Sequence, residues 1–289
     1  LSDVQNLGVV FNYLDRTHGN FFWWKNLREP AVPADAQRNG NVVGRRGNVS
    51  LSYKEFISER FFYTVKGMYF GNFWKDDSAG HVNNVSNSHV VHNDLQFTYE
   101  VSPGQILTFG ISGSYDRVRS NLFGKHSGFG AAVYVQDEIG VTEAFKVTGG
   151  FRFDLQKASS LAAASRLSPK VGAVYALSNR TSLRGSLGAG FRYPSIGELY
   201  VSSSTNVSGL VVVPNPNLLP EKSVTYELGV SHALADGVLL DAAVFHNSFR
   251  DLIEPGVKIK KIRLPSDTVE TDRPVAQFEN VTRASIQGA

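Results

Sequence analysis

Four consecutive aromatics, Phe21, Phe22, Trp23 and Trp24, stand early in the chain. Such a run hides poorly from water unless it packs on something. As chemistry it offers a stacking surface for an aromatic, sugar-like or macrocyclic ligand, and Trp74 adds another such surface. As structure it is an interface belt or a loop-packing cluster, which is the plainer reading. Near the other end, Lys258, Lys260, Lys261 and Arg263 partly alternate with Val257, Ile259 and Ile262. That pattern fits a hairpin with a basic face, able to attract an anionic ligand or a lipopolysaccharide phosphate. A solvated strand face is the simpler explanation. His81, His89 and His92 raise the question of a metal, but residues three apart on a strand point to opposite faces. His89 and His92 could share an ion only in a loop, so no metal is expected. The candidate ligand contacts are Phe22, Trp23, Trp24, Trp74, His81, Lys258, Lys260 and Lys261.

Catalytic signatures do not appear. There is no Gly-x-Ser-x-Gly elbow, no P-loop and no His-Glu-x-x-His. Gly188 and Gly190 form a Gly-x-Gly, yet position 193 is Tyr where a dinucleotide fingerprint needs glycine. These small residues lie on a strand, where they leave space for a close approach. No catalytic residue and no cofactor is expected.

The elements that must position the candidates are strands. From Phe61 the apolar positions are Phe61, Tyr63, Val65 and Tyr69, with Thr64 and Lys66 between them. From Leu107 they are Leu107, Phe109, Ile111 and Tyr115; from Phe145 they are Phe145, Val147, Phe151 and Phe153. Alternating side chains point to opposite faces, so each strand has one greasy face and one small, hydroxylic or charged face. Twelve strands are expected near residues 6–15, 42–55, 60–72, 90–99, 106–116, 129–138, 144–155, 166–176, 182–191, 222–233, 238–250 and 277–288. Tight connections centre on 56–59, 102–105, 140–143, 177–180 and 234–237. Pro103-Gly104 and Asp236-Gly237 carry turn chemistry. The remaining gaps, 16–41, 73–89, 117–128, 156–165, 192–221 and 251–276, read as long loops.

This alternation of short and long connections is that of a transmembrane antiparallel β-barrel, with tight turns at one rim and long loops at the other. Strands of about ten residues, tilted by about 40°, cover the apolar band of roughly 25 Å. Aromatics at strand ends (Phe61, Tyr69, Phe145, Phe153, Tyr115) fit girdles at both interfaces. Arg152, Arg184 and Glu227 are expected inside, because a charge facing lipid at the midplane costs about 2–4 kcal/mol.

Composition is consistent with this. No segment approaches the run of about 18 apolar residues that a transmembrane helix needs. The hydrophobic fraction of 42% and a mean hydropathy of -0.16 fit either a soluble protein or a barrel, whose membrane signal is diluted by alternation. With a net charge of only +3 and dispersed basic residues, nucleic acid is not an expected partner. Without cysteine there is neither a disulfide framework nor a thiolate metal site. No linker divides the 289 residues, so residues 1–289 read as one unit.

From Phe129 onward the wording becomes specific. The chain reads Ala132-Val133-Tyr134-Val135-Gln136-Asp137-Glu138, then Gly149-Gly150-Phe151-Arg152-Phe153-Asp154 and Leu167-Ser168-Pro169-Lys170-Val171-Gly172. Next come Gly190-Phe191-Arg192-Tyr193-Pro194-Ser195-Ile196-Gly197-Glu198-Leu199-Tyr200 and Asn215-Pro216-Asn217-Leu218-Leu219-Pro220-Glu221-Lys222. Tyr226-Glu227-Leu228-Gly229 and Phe278-Glu279-Asn280-Val281 complete the set. In this order the run resembles the barrel of TonB-dependent outer-membrane receptors. The resemblance implies a large barrel, plugged by a globular domain, in the outer membrane of a Gram-negative cell. It also implies uptake of a scarce small-molecule ligand (a siderophore, haem, cobalamin or an oligosaccharide) with energy relayed by TonB through the plug. Such barrels have about 22 strands, so the expectation is a partial barrel: about twelve strands, open on one side, without plug sequence or the closing strands. Outer-membrane lipid is its other expected partner. The rival readings are an outer-membrane barrel enzyme of lipase or protease type, complete at about twelve strands, and a soluble β-sandwich binding module.

Overall fold

Period-two sequence becomes strand over most of the chain, and the strands form one antiparallel meander. The computed structural model describes residues 4–19, 24–35, 39–78, 81–159, 161–202, 211–263 and 268–289. In chain order the elements are β1 (Gln5–Gly19), β2 (Trp24–Asn26), β3 (Glu29–Pro33), β4 (Gly40–Ser58), β5 (Phe61–Ser78), β6 (His81–Ser102), β7 (Gln105–Ser120), β8 (Gly124–Gly140), β9 (Phe145–Ala158), β10 (Ala164–Ser178) and β11 (Thr181–Arg192). Then follow a short helix α1 (Ile196–Tyr200), β12 (Val211–Val212), β13 (Glu221–Ala235), β14 (Val238–Ile262) and β15 (Thr271–Gly288). The sheet order is β1-β4-β5-β6-β7-β8-β9-β10-β11-β13-β14-β15-β12, with β1 and β12 at its two edges and β2–β3 as a separate hairpin. All twelve expected strands are present, and all are neighbours in sequence order.

The five tight connections fall where the turn residues put them. Gly104 (φ 85°) and Gly237 (φ 81°) occupy the left-handed region that a side chain disfavours. The opposite rim corrects the sequence reading. Gaps 73–89, 117–128 and 251–276 are mostly strand and 156–165 is half strand, so β6 reaches 22 residues and β14 reaches 25. The hairpins continue past the membrane as paired ribbons. Above the lipid no face must be apolar, so the alternation that marks a strand in sequence fades while the ladder persists.

Register shows which side chains share a face. Phe11, Val49, Tyr69, Val91, Tyr115 and Phe129 form one row across β1, β4, β5, β6, β7 and β8. Ser50, Met68, His92, Ser114, Gly130 and Gln156 form the adjacent row on the other face. On the greasy face Val49, Leu51, Phe109, Ile111 and Phe151 are exposed, while Tyr53, Leu107 and Val147 are partly covered. Ser50, Ser52, Thr108, Ser112, Thr148 and Arg152 alternate with them and lie on the opposite face. The row of Tyr69 and Tyr115 stands eight residues above that of Phe61, Tyr99 and Leu107. That is about 26 Å along the strand and roughly 20 Å along the axis of a tilted barrel, enough for two interface girdles.

The inner face carries the charge. Arg152 donates through Nη2 to Ser112 Oγ (3.0 Å) and through Nε to Asp154 Oδ1 (2.9 Å). Its guanidinium also lies 5.6 Å from the Tyr134 ring centroid, while Tyr134 Oη donates to Asp94 at 3.1 Å. Arg184 donates to Asp241 at 2.8 Å and lies 3.6 Å from Glu227. Each expected inward charge therefore has partners on the polar face.

Buried apolar residues among those described are few and, apart from Ala132 in mid-β8, sit toward the long-loop rim, where Ala158, Leu199, Leu218 and Ile253 form a cluster. Among the described residues no second sheet covers the greasy face, which is not the packing of a sandwich. The cluster also reveals curvature. Tyr200 stacks on His126 of β8, and Asn215, whose N donates to the adjacent Leu199 O at 3.0 Å, donates through Nδ2 to Phe278 O of β15. Along the sheet these strands are six spacings apart, about 29 Å. A chord that short means the sheet bends around this cluster, on its concave side.

Candidate functional site

The described parts of the segment joining β11 to β13, residues 193–202 and 211–220, form a strap on the concave side, held by polar side chains at both ends. Ser195 caps α1: its Oγ accepts from Glu198 N (3.2 Å), and Glu198 Oε2 accepts from Ser195 N (2.7 Å), a closed capping box. The same Glu198 oxygen accepts from Arg192 Nη1 at 2.9 Å. Arg192 turns its other edge on Glu221, with Nη2 to Oε1 at 2.5 Å and Nε to Oε2 at 2.6 Å. This is a two-pronged pair of the strong, directional kind. Glu221 Oε1 also accepts from Ile253 N at 2.8 Å, tying the group to β14. One arginine thus joins the end of β11, α1, β13 and β14.

Charge balance follows from that geometry. Burial pushes the Glu198 carboxyl up, but the hydrogen bonds from Arg192 and Ser195 more than offset this and leave it below the usual carboxylate range. The Glu221 carboxyl is also lowered, chiefly by Arg192, against the opposing effect of burial. Leu199, fully buried between the charged group and the sheet, anchors the helix.

On the β8 side, Tyr200 stacks on His126 with ring centroids 3.6 Å apart and planes within 7°. His126 Nδ1 lies 2.8 Å from Ser159 Oγ. Burial lowers the pKa of the imidazole, with the Phe123 backbone opposing. On the β15 side, Asn215 Nδ2 donates to Phe278 O (2.8 Å) and Gln277 Nε2 to Pro214 O (2.7 Å). Asn280 then accepts from Leu219 N and donates to Leu219 O and Asp251 O, all within 2.9 Å. β12 lies parallel against Val275 and Ala276 of β15. Gly190, beside the strap, has no room for a Cβ: one there would collide with Ser223 Oγ.

The sequence-derived ligand candidates lie elsewhere on the same rim. Trp24 begins β2 and is exposed; Phe21, Phe22 and Trp23 lie outside the described residues. Trp74 sits on the upper part of β5, half-buried, and His81 opens β6. Lys258 pairs with Glu279 (2.7 Å), and Lys260 donates to Gln277 (2.5 Å). Lys261 is exposed on the other face of the same ribbon. The described candidates therefore lie on three separate hairpins. His89 and His92 do point to opposite faces: His89 Nδ1 lies 2.7 Å from the Tyr69 hydroxyl, and His92 lines an inner groove with Ser50, Lys66 and Met68. Among the described residues no cluster of three metal-ligating side chains forms.

Comparison with known proteins decides the family. The family model for the TonB-dependent receptor-like β-barrel matches residues 3–289. The chain belongs to that family. An iron-regulated outer membrane virulence protein of Vibrio cholerae is 28% identical over 173 residues, covering 56% of this chain and 24% of the relative. A probable TonB-dependent siderophore receptor, PirA of Acinetobacter baumannii, is 26% identical over 236 residues, covering 68% of this chain and 30% of the relative. Among solved structures, the ferric enterobactin receptor PfeA of Pseudomonas aeruginosa superposes with a TM-score of 0.77 at 15% identity, covering 100% of this chain and 46% of that one. The chain thus spans about a quarter of those two relatives' length and about half of that solved chain. As a TonB-dependent receptor barrel it is an outer-membrane protein, with its long-loop rim outward. The residues that signalled the family in sequence, from Arg192 to Tyr200 and from Asn215 to Lys222, are those that fasten the strap. Sequence reasoning used them as wording and missed their structural role, although Ser195-x-x-Glu198 is itself a legible helix start.

Proposed function

We propose that this chain is part of the wall and mouth of a receptor that imports a scarce iron-carrying ligand, a ferric siderophore or haem, across the outer membrane. The family match over residues 3–289 carries the reading. The names of the relatives, one iron-regulated and one a siderophore receptor, narrow the ligand class ahead of cobalamin and oligosaccharides. Transport would draw on TonB through a plug filling the concave side. The ligand would meet the mouth first at the aromatic and basic loop residues Phe22, Trp23, Trp24, Trp74, His81 and Lys261, with Lys258 and Lys260 behind them.

An enzyme reading has no comparable support. The pair of Ser159 and His126 resembles a nucleophile and base, but Tyr200 covers the ring, and among the described residues no carboxylate orients it. The test is growth of a strain lacking the full gene, under iron chelation, with ferric siderophores or haem supplied singly. Loss of growth on one iron source, restored by the intact gene, is the expected result. Normal growth on every iron source, with a defect only on cobalamin or a glycan, would overturn the iron assignment.

A further inference from the structure

At the tight-turn rim, the lipid-facing side of β4–β7 sets one carboxylate in a strip of aromatic rings. Glu55 Oε2 accepts from Tyr63 Oη at 2.5 Å and from Tyr53 Oη at 3.0 Å. Glu55 Oε1 accepts from Gln5 Nε2 at 3.3 Å. All three donors are neutral, so they favour the anion without cancelling its charge. The ladders put Tyr53, Glu55 and Tyr63 on the face of Val49, Leu51 and Phe97, and all three are partly exposed. The opposite face confirms the parity. There Lys54 holds its Nζ over the Phe56 and Phe62 rings, 4.4 and 3.9 Å from their centroids.

Two observations separate Glu55 from an ordinary solvated carboxylate. First, among the described residues no lysine or arginine pairs with it. In the lower halves of β4 to β9 the outward positions hold Glu55 and Asp137 but no basic residue, while Lys54, Lys66 and Lys146 lie on the inner face. Second, the rings beside it are continuous. Centroids are 6.1 Å apart for Tyr53 and Tyr63, 6.3 Å for Tyr63 and Phe97, and 5.2 Å for Phe97 and Phe109. Ring faces next to a carboxylate are the surroundings that an organic ammonium group prefers. Height selects the source of that cation. Glu55 stands three residues from Ser58, where the β4–β5 ladder ends. That is about 10 Å along the strand and roughly 8 Å along the axis of a tilted barrel. The medium at this depth is the headgroup layer, about 5–8 Å deep per leaflet.

We propose that Glu55, with the Tyr53, Tyr63 and Phe97 rings beside it, binds the primary ammonium of an inner-leaflet phospholipid headgroup, that of phosphatidylethanolamine. The ammonium donates to Glu55 Oε1, whose contact with Gln5 is the longest of the three. Its charge lies against the ring faces. The acyl chains run on toward the membrane centre over the exposed side chains of Leu51, Val65 and Ile111. The site faces away from the concave side, so it does not depend on which ligand is imported.

The test uses the full-length receptor, produced in the outer membrane and purified in non-ionic detergent. It is offered equal amounts of phosphatidylethanolamine, N-acetylated phosphatidylethanolamine, phosphatidylcholine and phosphatidylglycerol, all with the same acyl chains. Lipid retained per receptor is read by native mass spectrometry. Phosphatidylethanolamine should be retained over each of the others by about fivefold. The acetylated lipid lacks the charge, phosphatidylcholine lacks the N–H donors, and phosphatidylglycerol lacks both. Glu55→Gln keeps the size of the side chain and removes its charge. It should keep heat-modifiable mobility and lose the preference, whereas Glu59→Gln, exposed in the turn below, should keep it. Retention of any of the other three lipids equal to that of phosphatidylethanolamine would overturn the proposal. So would an undiminished preference in folded Glu55→Gln, or an equal loss in Glu59→Gln. The acetylated lipid needs no variant, so it decides the matter even where Glu55→Gln does not fold.

Discussion

Arg192 is the residue on which the rim geometry converges, because it pairs both with Glu221, its partner at the end of the β11–β13 ladder, and with Glu198 of α1, which no ladder joins to the sheet. Arg192→Ala would leave two carboxylates side by side with burial and no counter-charge. The expected cost is about 1–3 kcal/mol, less than for a fully buried pair, because the arginine side chain is 46% exposed. Hydrogen exchange at the amides of α1 should rise accordingly, while exchange in the mid-barrel strands stays unchanged. The pair also sets a pH response. Both carboxyls titrate below their usual value of 4.5 in the folded chain, so their stabilisation is present above that value and lost as pH falls through the depressed pKa. Protease nicking of the strap should therefore begin only on acidification below the ordinary carboxylate range. Arg192→Ala should loosen the strap already at neutral pH and abolish the acid-induced onset; a wild-type strap equally resistant at pH 3 and pH 7 would contradict the assignment.

At the scale of elements, one strand presents two solvents. On β9, Phe151 and Phe153 face outward while Arg152 and Asp154 pair on the inner side. Phe151→Arg should destabilise insertion by about 2–4 kcal/mol, whereas Thr148→Arg on the inner face should change it little. Urea titration of the refolded barrel in lipid vesicles measures both. Equal penalties would mean that the two faces had been misassigned. These mid-membrane strands were legible because the bilayer forces strict alternation on them. The upper halves of β6 and β14 were not, since ribbons standing in water can hold either residue class on either face. β12 was invisible for a different reason: its two residues become strand only by reaching β15, a contact between distant parts of the chain.

For the whole molecule, the meander order could be read from turn chemistry and gap rhythm, because neighbouring strands in such a barrel are neighbours in sequence. Curvature could not, since it rests on contacts that join β8 to β15 through Tyr200, Leu199 and Asn215. The candidate ligand residues were only partly legible: types and rim position came from sequence, but their dispersal over three hairpins came from the fold. The central claim is that this sheet is a membrane wall, with lipid on one face and an aqueous interior on the other. The 289 residues contain no cysteine, so single cysteines can be placed at each position from 145 to 157 of the full receptor in its native membrane. Labelling by a charged maleimide, read against quenching by lipid-borne spin labels, tests the claim most directly. Cysteines at 146, 148, 152 and 154 should label from water, and those at 147, 151, 153 and 155 should be quenched from lipid. Uniform labelling along β9, or the opposite alternation, would contradict it.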